Sequence, residues 1–134
     1  MDDPLPSDAA LNGKAPAGAA PAPLPYFDPT PIPAALRARP QWVCWDYVNR
    51  GGRQTKCPVS ARGGGRADST DPATWASFDE AVAAWKSGGF AGIGFVFAAD
   101  GPFCGIDLDG CIDDAGAIVP VAQEIIDSLG SYTE

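Results

Sequence analysis

Two runs, QWVCWDYV at residues 41–48 and QTKCPV at 54–59, stand on either side of NRGGR. The first is crowded with aromatic and β-branched side chains, which suit a pleated backbone. The adjacent glycines between the runs supply the positive φ angles of a tight hairpin turn. The spacing therefore predicts an antiparallel β-hairpin. A hairpin alone is marginal in water, so the rest of the chain has to cover it.

The covering elements can be read in order. PIPAALRARP predicts a short helix, with Pro33 in its first turn and Pro40 ending it. SFDEAVAAWKSGG opens with Ser77 three residues before Glu80, a capping-box pattern, and places Phe78, Ala81, Val82 and Trp85 on one helical face before Gly88 stops it. GIGFVF and FCGIDLDG read as buried strands separated by the turn AADGP. PVAQEIIDSLG predicts a last helix with an apolar stripe of Val121, Ala122, Ile125, Ile126 and Leu129, ended by Gly130. The order α-β-β-α-β-β-α predicts an α+β fold, a sheet with helices packed on it.

Residues 1–30 hold seven prolines and seven alanines and show no periodicity. They predict a disordered Pro/Ala-rich leader, leaving residues 31–134 as the folded part. The acidic start MDDPLPSDAA has no apolar core of a secretory signal, and no run approaches the ~20 apolar residues of a membrane span. A cytoplasmic location is the expectation. The four cysteines form no C-x-x-C pair and the chain has no histidine, so reduced thiols are expected rather than a structural zinc site.

A formal net charge of −8 excludes a generic nucleic-acid binder, yet the charge is unevenly spread. Residues 37–66 carry Arg37, Arg39, Arg50, Arg53, Lys56, Arg62 and Arg66 against the single acid Asp46, whereas residues 67–134 carry twelve acids against Lys86. Two faces with different tasks would explain this, and so would a solvated basic hairpin.

Asp107 and Asp109 stand two apart in FCGIDLDGC. On a strand they would project from one face, with Ile106 and Leu108 turned into apolar packing. Carboxylates so close repel one another unless they share a proton or hold a cation, and Mg²⁺ or Mn²⁺ takes oxygen ligands. A solvated pair at a strand end is the plainer alternative. An EF-hand is excluded, because the sixth and twelfth positions counted from Asp107 are Ile112 and Ile118 rather than glycine and glutamate. GIDLDG also resembles the first motif of haloacid-dehalogenase-type phosphatases, but that motif normally opens its domain and here about a hundred residues precede it.

IPAALRARPQWVCWDY, RQTKCPV, STDPATWASFDEAVAAW, GGFAGIGFVF and FCGIDLDGC, in this order, together resemble the N-terminal part of the bifunctional DNA primase/polymerase domain. This is the prim-pol branch of the archaeo-eukaryotic primase superfamily, often carried by phages and plasmids. The resemblance covers about residues 32–134. It implies an α+β primase-polymerase domain on an RRM-like core, performing metal-dependent, template-directed nucleotidyl transfer from nucleoside triphosphates on a DNA template. Asp107 and Asp109 match the first catalytic motif and would hold Mg²⁺ or Mn²⁺. Lys56 falls in the family's T-K-x-P segment and would face phosphate, as would Arg62 and Arg66 on the glycine-rich loop, although all three suit a solvated hairpin equally. A helicase domain or replication proteins would be further partners, and no membrane.

The family's next motif is an S-x-H turn, and no histidine is present here. The expectation is thus an incomplete domain, truncated after the first catalytic motif and inactive alone. The alternative is a non-catalytic module that binds DNA or a replication partner.

Overall fold

The computed structural model describes residues 28–134, so the expected leader lies, apart from its last three residues, outside the described part. The chain forms two compact units, Met1–Ala98 and Ala99–Glu134.

The first unit is a three-stranded antiparallel sheet with helices. Its elements are α1 (Ala34–Arg37), β1 (Trp42–Arg50), β2 (Arg53–Val59), α2 (Phe78–Lys86) and β3 (Gly92–Phe95), and the strands lie in the order β2-β1-β3. The predicted hairpin forms with Arg50 opposite Arg53, leaving Gly51 and Gly52 as a two-residue turn at φ 59° and 82°. The Gly52 N–H donates to Asn49 Oδ1 at 2.9 Å, which closes the turn. These angles are open to glycine and costly for other residues, so the register follows from the pair.

Alternation along β1 sorts its side chains between two faces. Trp42 packs with Ile32 and Ala81, with Leu36, Phe78, Ile93 and Phe95 around them. Its indole meets Phe78 and Phe95 edge-on, at centroid separations of 5.1 and 5.3 Å. Val43 faces the other way, into a cluster with Ala67, Trp75 and Val96. Gln41, a buried amide, donates from Nε2 to the Val96 carbonyl at 2.8 Å, while the Val96 N–H donates to the Gln41 carbonyl at 2.7 Å. Its amide nitrogen and main-chain carbonyl are thus paired, which offsets the cost of burying them.

Helix α2 carries both halves of the predicted capping box. The Glu80 N–H donates to Ser77 Oγ at 3.2 Å and the Ser77 N–H to Glu80 Oε2 at 2.8 Å. Ala81 and Trp85 are the buried positions on its inner face.

In the second unit, α3 (Pro120–Leu129) forms where the sequence predicts it, with Gly130 in the left-handed conformation at its end. Before it, Ile112 bridges Ile118 across a turn at Asp113–Gly116. Asp113 Oδ1 accepts the N–H groups of Ala115 and Ala117, each at 2.9 Å. Ala122 is the buried residue of α3, whereas Val121 and Leu129 of the expected stripe are 63% and 51% exposed.

The strand expected over FCGIDLDG does not form. Residues 103–108 have no regular structure and Asp109–Gly110 make a turn. Ile106, expected in apolar packing, is 59% exposed. A strand is stable only against a neighbour that takes its backbone hydrogen bonds, and among the described residues none pairs with this segment. No helix among the described residues is long and apolar enough to cross a membrane.

Candidate functional site

The candidate residues divide between the two units, and each group has its own surroundings. Asp107 and Asp109 lie in the second unit, both exposed, one on the irregular segment 103–108 and the other opening the turn at Gly110. Gly110 has φ 65°, which bends the chain directly after Asp109. Among the described residues, no group of three or more His, Cys, Asp or Glu side chains is placed to hold a metal ion. Asp113, the nearest following acid, spends its Oδ1 on the backbone of its own turn. Two exposed carboxylates still suit Mg²⁺, which is commonly bound by one or two carboxylates and completes its shell with water and substrate phosphate. The donors therefore fit a hard divalent cation as a partial set.

Lys56, Arg62 and Arg66 belong to the first unit and differ sharply. Lys56 sits on β2 opposite Tyr47, exposed, with its Nζ 4.5 Å from the centroid of the Trp45 ring. An ammonium over an indole face is held by the ring quadrupole without losing its water. Arg62 is engaged with Glu80. Its Nε donates to Oε1 at 3.0 Å and its Nη2 to Oε2 at 2.9 Å, the paired geometry in which a guanidinium grips a carboxylate best. The Arg62 hydrogen bonds and the Ser77 cap hold the Glu80 carboxyl down at about 2, while Glu80 pushes the Arg62 guanidinium further up. Arg66 is exposed beside Asp68, at the point where its backbone bridges Val59.

From sequence, Trp42, Trp45 and Trp75 could all stack on bases, with core packing the favoured role for each; the structure separates Trp45, which lies beside Lys56. Trp45 is only partly buried, and its indole lies close against Gly92 of β3, its partner in register. A Cβ at Gly92 would fall 2.5 Å from the Trp45 Nε1, so the absent side chain is what lets the ring lie there. Tyr47 stands against Trp45 edge-on at 5.3 Å and is 50% exposed. The signal was present in GIG, two glycines inside an apolar strand, which marks a close approach of some other group to the backbone.

The four cysteines are free thiols. Burial pushes Cys44 up to about 11, and its Sγ lies 3.6 Å from the Ala81 carbonyl. It is a core residue.

Comparison with known proteins gives these side chains a context. No protein-family profile matches the chain. Over 106 residues it is 39% identical to the DNA primase-polymerase of Nitratiruptor phage NrS-1. The match takes in 77% of this chain and 14% of that protein, so the chain spans about a seventh of its curated relative. Identity of this extent, through most of a small α+β chain whose motifs already resemble that family, makes the chain a relative of the DNA primase-polymerases.

Proposed function

We propose that this chain is the part of a DNA primase-polymerase that holds catalytic metal and meets nucleic-acid phosphate. The 39% identity over 106 residues carries this reading. It also favours it over the phosphatase alternative, which rests on the short motif GIDLDG. In the reaction, a divalent cation would neutralise the triphosphate and stabilise the attacking and leaving oxygens. The residues that would hold it are Asp107 and Asp109. Their exposure leaves both carboxylates open to a hydrated ion and to substrate phosphate. Lys56, on the hairpin, would contact phosphate on the template or triphosphate. Arg66 is a weaker contact, and Arg62 has first to leave Glu80.

Two carboxylates do not complete a two-metal site, and among the described residues no third ligand joins them. The chain by itself is therefore expected to be inactive, with further elements of the domain needed for nucleotidyl transfer. The test is to exchange the matching 106-residue segment of the Nitratiruptor phage enzyme for that of this chain. The exchanged protein should synthesise primers with Mn²⁺ and labelled nucleotides, and Asp107→Asn should abolish the product. Undiminished synthesis by the Asp107→Asn protein would refute the assignment. Robust synthesis by the 134-residue chain alone would refute the expectation of inactivity.

The basic hairpin favours one second reading, a module that only binds DNA. Salt-dependent DNA binding unaffected by Asp107→Asn, together with an inactive exchanged protein, would establish that reading instead.

A further inference from the structure

We infer that the open end of the sheet, built by Trp45, Tyr47 and Lys56, is a contact for single-stranded nucleic acid. The aromatic pair takes a base and Lys56 takes a neighbouring backbone phosphate. This rests on the reading that the chain handles nucleic acid, and adds to it a stacking surface within the first unit.

Four observations lead to it. The first is how the tryptophans are divided. Trp42 and Trp75 are 3% and 7% exposed, and each gives its indole N–H to a backbone carbonyl, Leu36 at 3.1 Å and Asp68 at 2.7 Å. They are core residues with their polar edges satisfied. Trp45 is left partly in water on the sheet face that carries Val43, beyond the point where Ala67 and Trp75 cover it. Second, Tyr47 lies further out on that face and is half exposed, which core packing does not explain. Large aromatics left in solvent beside one another mark recognition surfaces.

Third, the neighbouring strand carries two glycines on this face. Gly92 and Gly94 of β3 pair with Trp45 and Val43, and bulk at Gly92 would collide with the indole. The ring thereby packs close against the β3 backbone. Fourth, the charge is of the right sign. Lys56 places its ammonium over that ring, while Asp46, Arg50 and Arg53 belong by alternation to the other face of the hairpin. A partly exposed aromatic pair beside a cation, in a basic segment of an otherwise acidic chain, is complementary to a polyanion with exposed π-faces. Single-strand binders combine these two elements.

The arrangement also implies an exchange. In the free protein the ammonium occupies the outer side of the indole. An arriving base takes that place, and the flexible lysine moves its charge to phosphate, so neither the ring nor the ammonium loses its partner.

The test uses the 134-residue chain and two fluorescein-labelled oligomers of equal length, oligo(dT) and its abasic counterpart, in EDTA over a range of salt. Trp45→Leu should weaken oligo(dT) binding about tenfold and leave the abasic oligomer nearly unchanged, since only the first offers bases to stack. Tyr47→Leu, at an exposed site that tolerates the change, should do the same in smaller measure and guards against a folding defect in Trp45→Leu. Lys56→Gln should weaken both oligomers alike and lower the salt slope by about 0.7. Equal oligo(dT) affinity in the parent, Trp45→Leu and Tyr47→Leu proteins would overturn the inference. So would failure of the parent chain to bind either oligomer, or binding of a protein partner that Trp45→Leu abolishes while DNA binding is untouched. Because metal is absent, these outcomes are independent of the primer-synthesis assay on Asp107, and either reading can fail alone.

Discussion

Replacing Gly92 by alanine should destabilise the first unit, although alanine is ordinarily the better strand residue. The backbone there is unstrained, so the argument is steric alone. The added Cβ would lie 2.5 Å from Trp45 Nε1, 2.7 Å from Cε2 and 2.9 Å from Cζ2, all well inside contact distance. These atoms belong to a rigid ring, so the whole indole must tilt or swing away. Overpacking of this kind typically costs about 1–3 kcal/mol, and the alanine returns about 0.5–1 kcal/mol of backbone entropy. Displacing the ring also weakens its edge contact with Tyr47 and its hold on Lys56, each worth about 0.5–1 kcal/mol. The net loss should be about 1–4 kcal/mol, at roughly 4–8 °C in Tm per kcal/mol for a domain of this size. Gly94→Ala is the internal control. Its Cβ would meet Val43 Cγ2 at 3.8 Å and Trp45 Cδ1 at 4.0 Å, ordinary contacts, so it should be neutral or slightly stabilising. Urea titrations followed by far-UV circular dichroism would compare the two variants. Gly92→Ala as stable as Gly94→Ala would refute the close packing of Trp45 on β3. Gly92→Ala in a Trp45→Ala background should lose most of its penalty, which tests that the clash is with the indole.

Other consequences follow from single features. Glu80 is held at about 2, below the ~4.3 of an unfolded glutamate, so the stability it contributes is fully present above about 4.3 and is lost as the pH falls from there through about 2. Thermal melts across that window should be flatter for Glu80→Gln than for the parent. Cys44, buried and pushed up to about 11, should resist alkylation at pH 8 until the chain is denatured, while exposed Cys104 is modified at once; mass-mapped labelling would show the order. Gly52→Ala, at φ 82°, should cost the hairpin about 1 kcal/mol through left-handed strain, read from the same urea titrations. Trp42→Ala, which empties the middle of the aromatic cluster, should cost about 3–5 kcal/mol.

Local signals were legible in the sequence and distant ones were not. Ser77 and Glu80 announced the start of α2 because a capping box is closed within four residues, and Gly51–Gly52 announced the hairpin for the same reason. Pro120 and Gly130 bounded α3 equally well. FCGIDLDG misled because its composition suits a strand, but forming one depends on a neighbour that no local pattern encodes. The apolar stripe of α3 was read correctly as a pattern, yet Val121 and Leu129 remain exposed, since periodicity names a face without naming what covers it. Arg62 resembled a free cation on a glycine-rich loop, and its partner Glu80 lies eighteen residues away. Among the tryptophans, composition could not separate Trp42 and Trp75 from Trp45, because that depends on which end of the sheet the loop at residues 60–76 covers.

The two groups of candidate residues also differ in how firmly they are held. Lys56 belongs to a sheet with a core of its own, and its ammonium is placed by a ring that is itself placed by a missing side chain at Gly92. If Lys56 meets phosphate as proposed, that contact is set before the ligand arrives. Asp107 and Asp109 lie on backbone without sheet partners, in a unit where Ala122 is the one buried hydrophobic residue. Their mutual repulsion opposes any conformation that brings both side chains together, and a divalent cation reverses that sign. An extended strand is such a conformation, because residues two apart then share a face. If the two aspartates hold a cation as proposed, its binding and the ordering of this segment should favour each other, each contributing free energy to the other. Nucleic-acid contact would then precede, and not require, the assembly of the metal site.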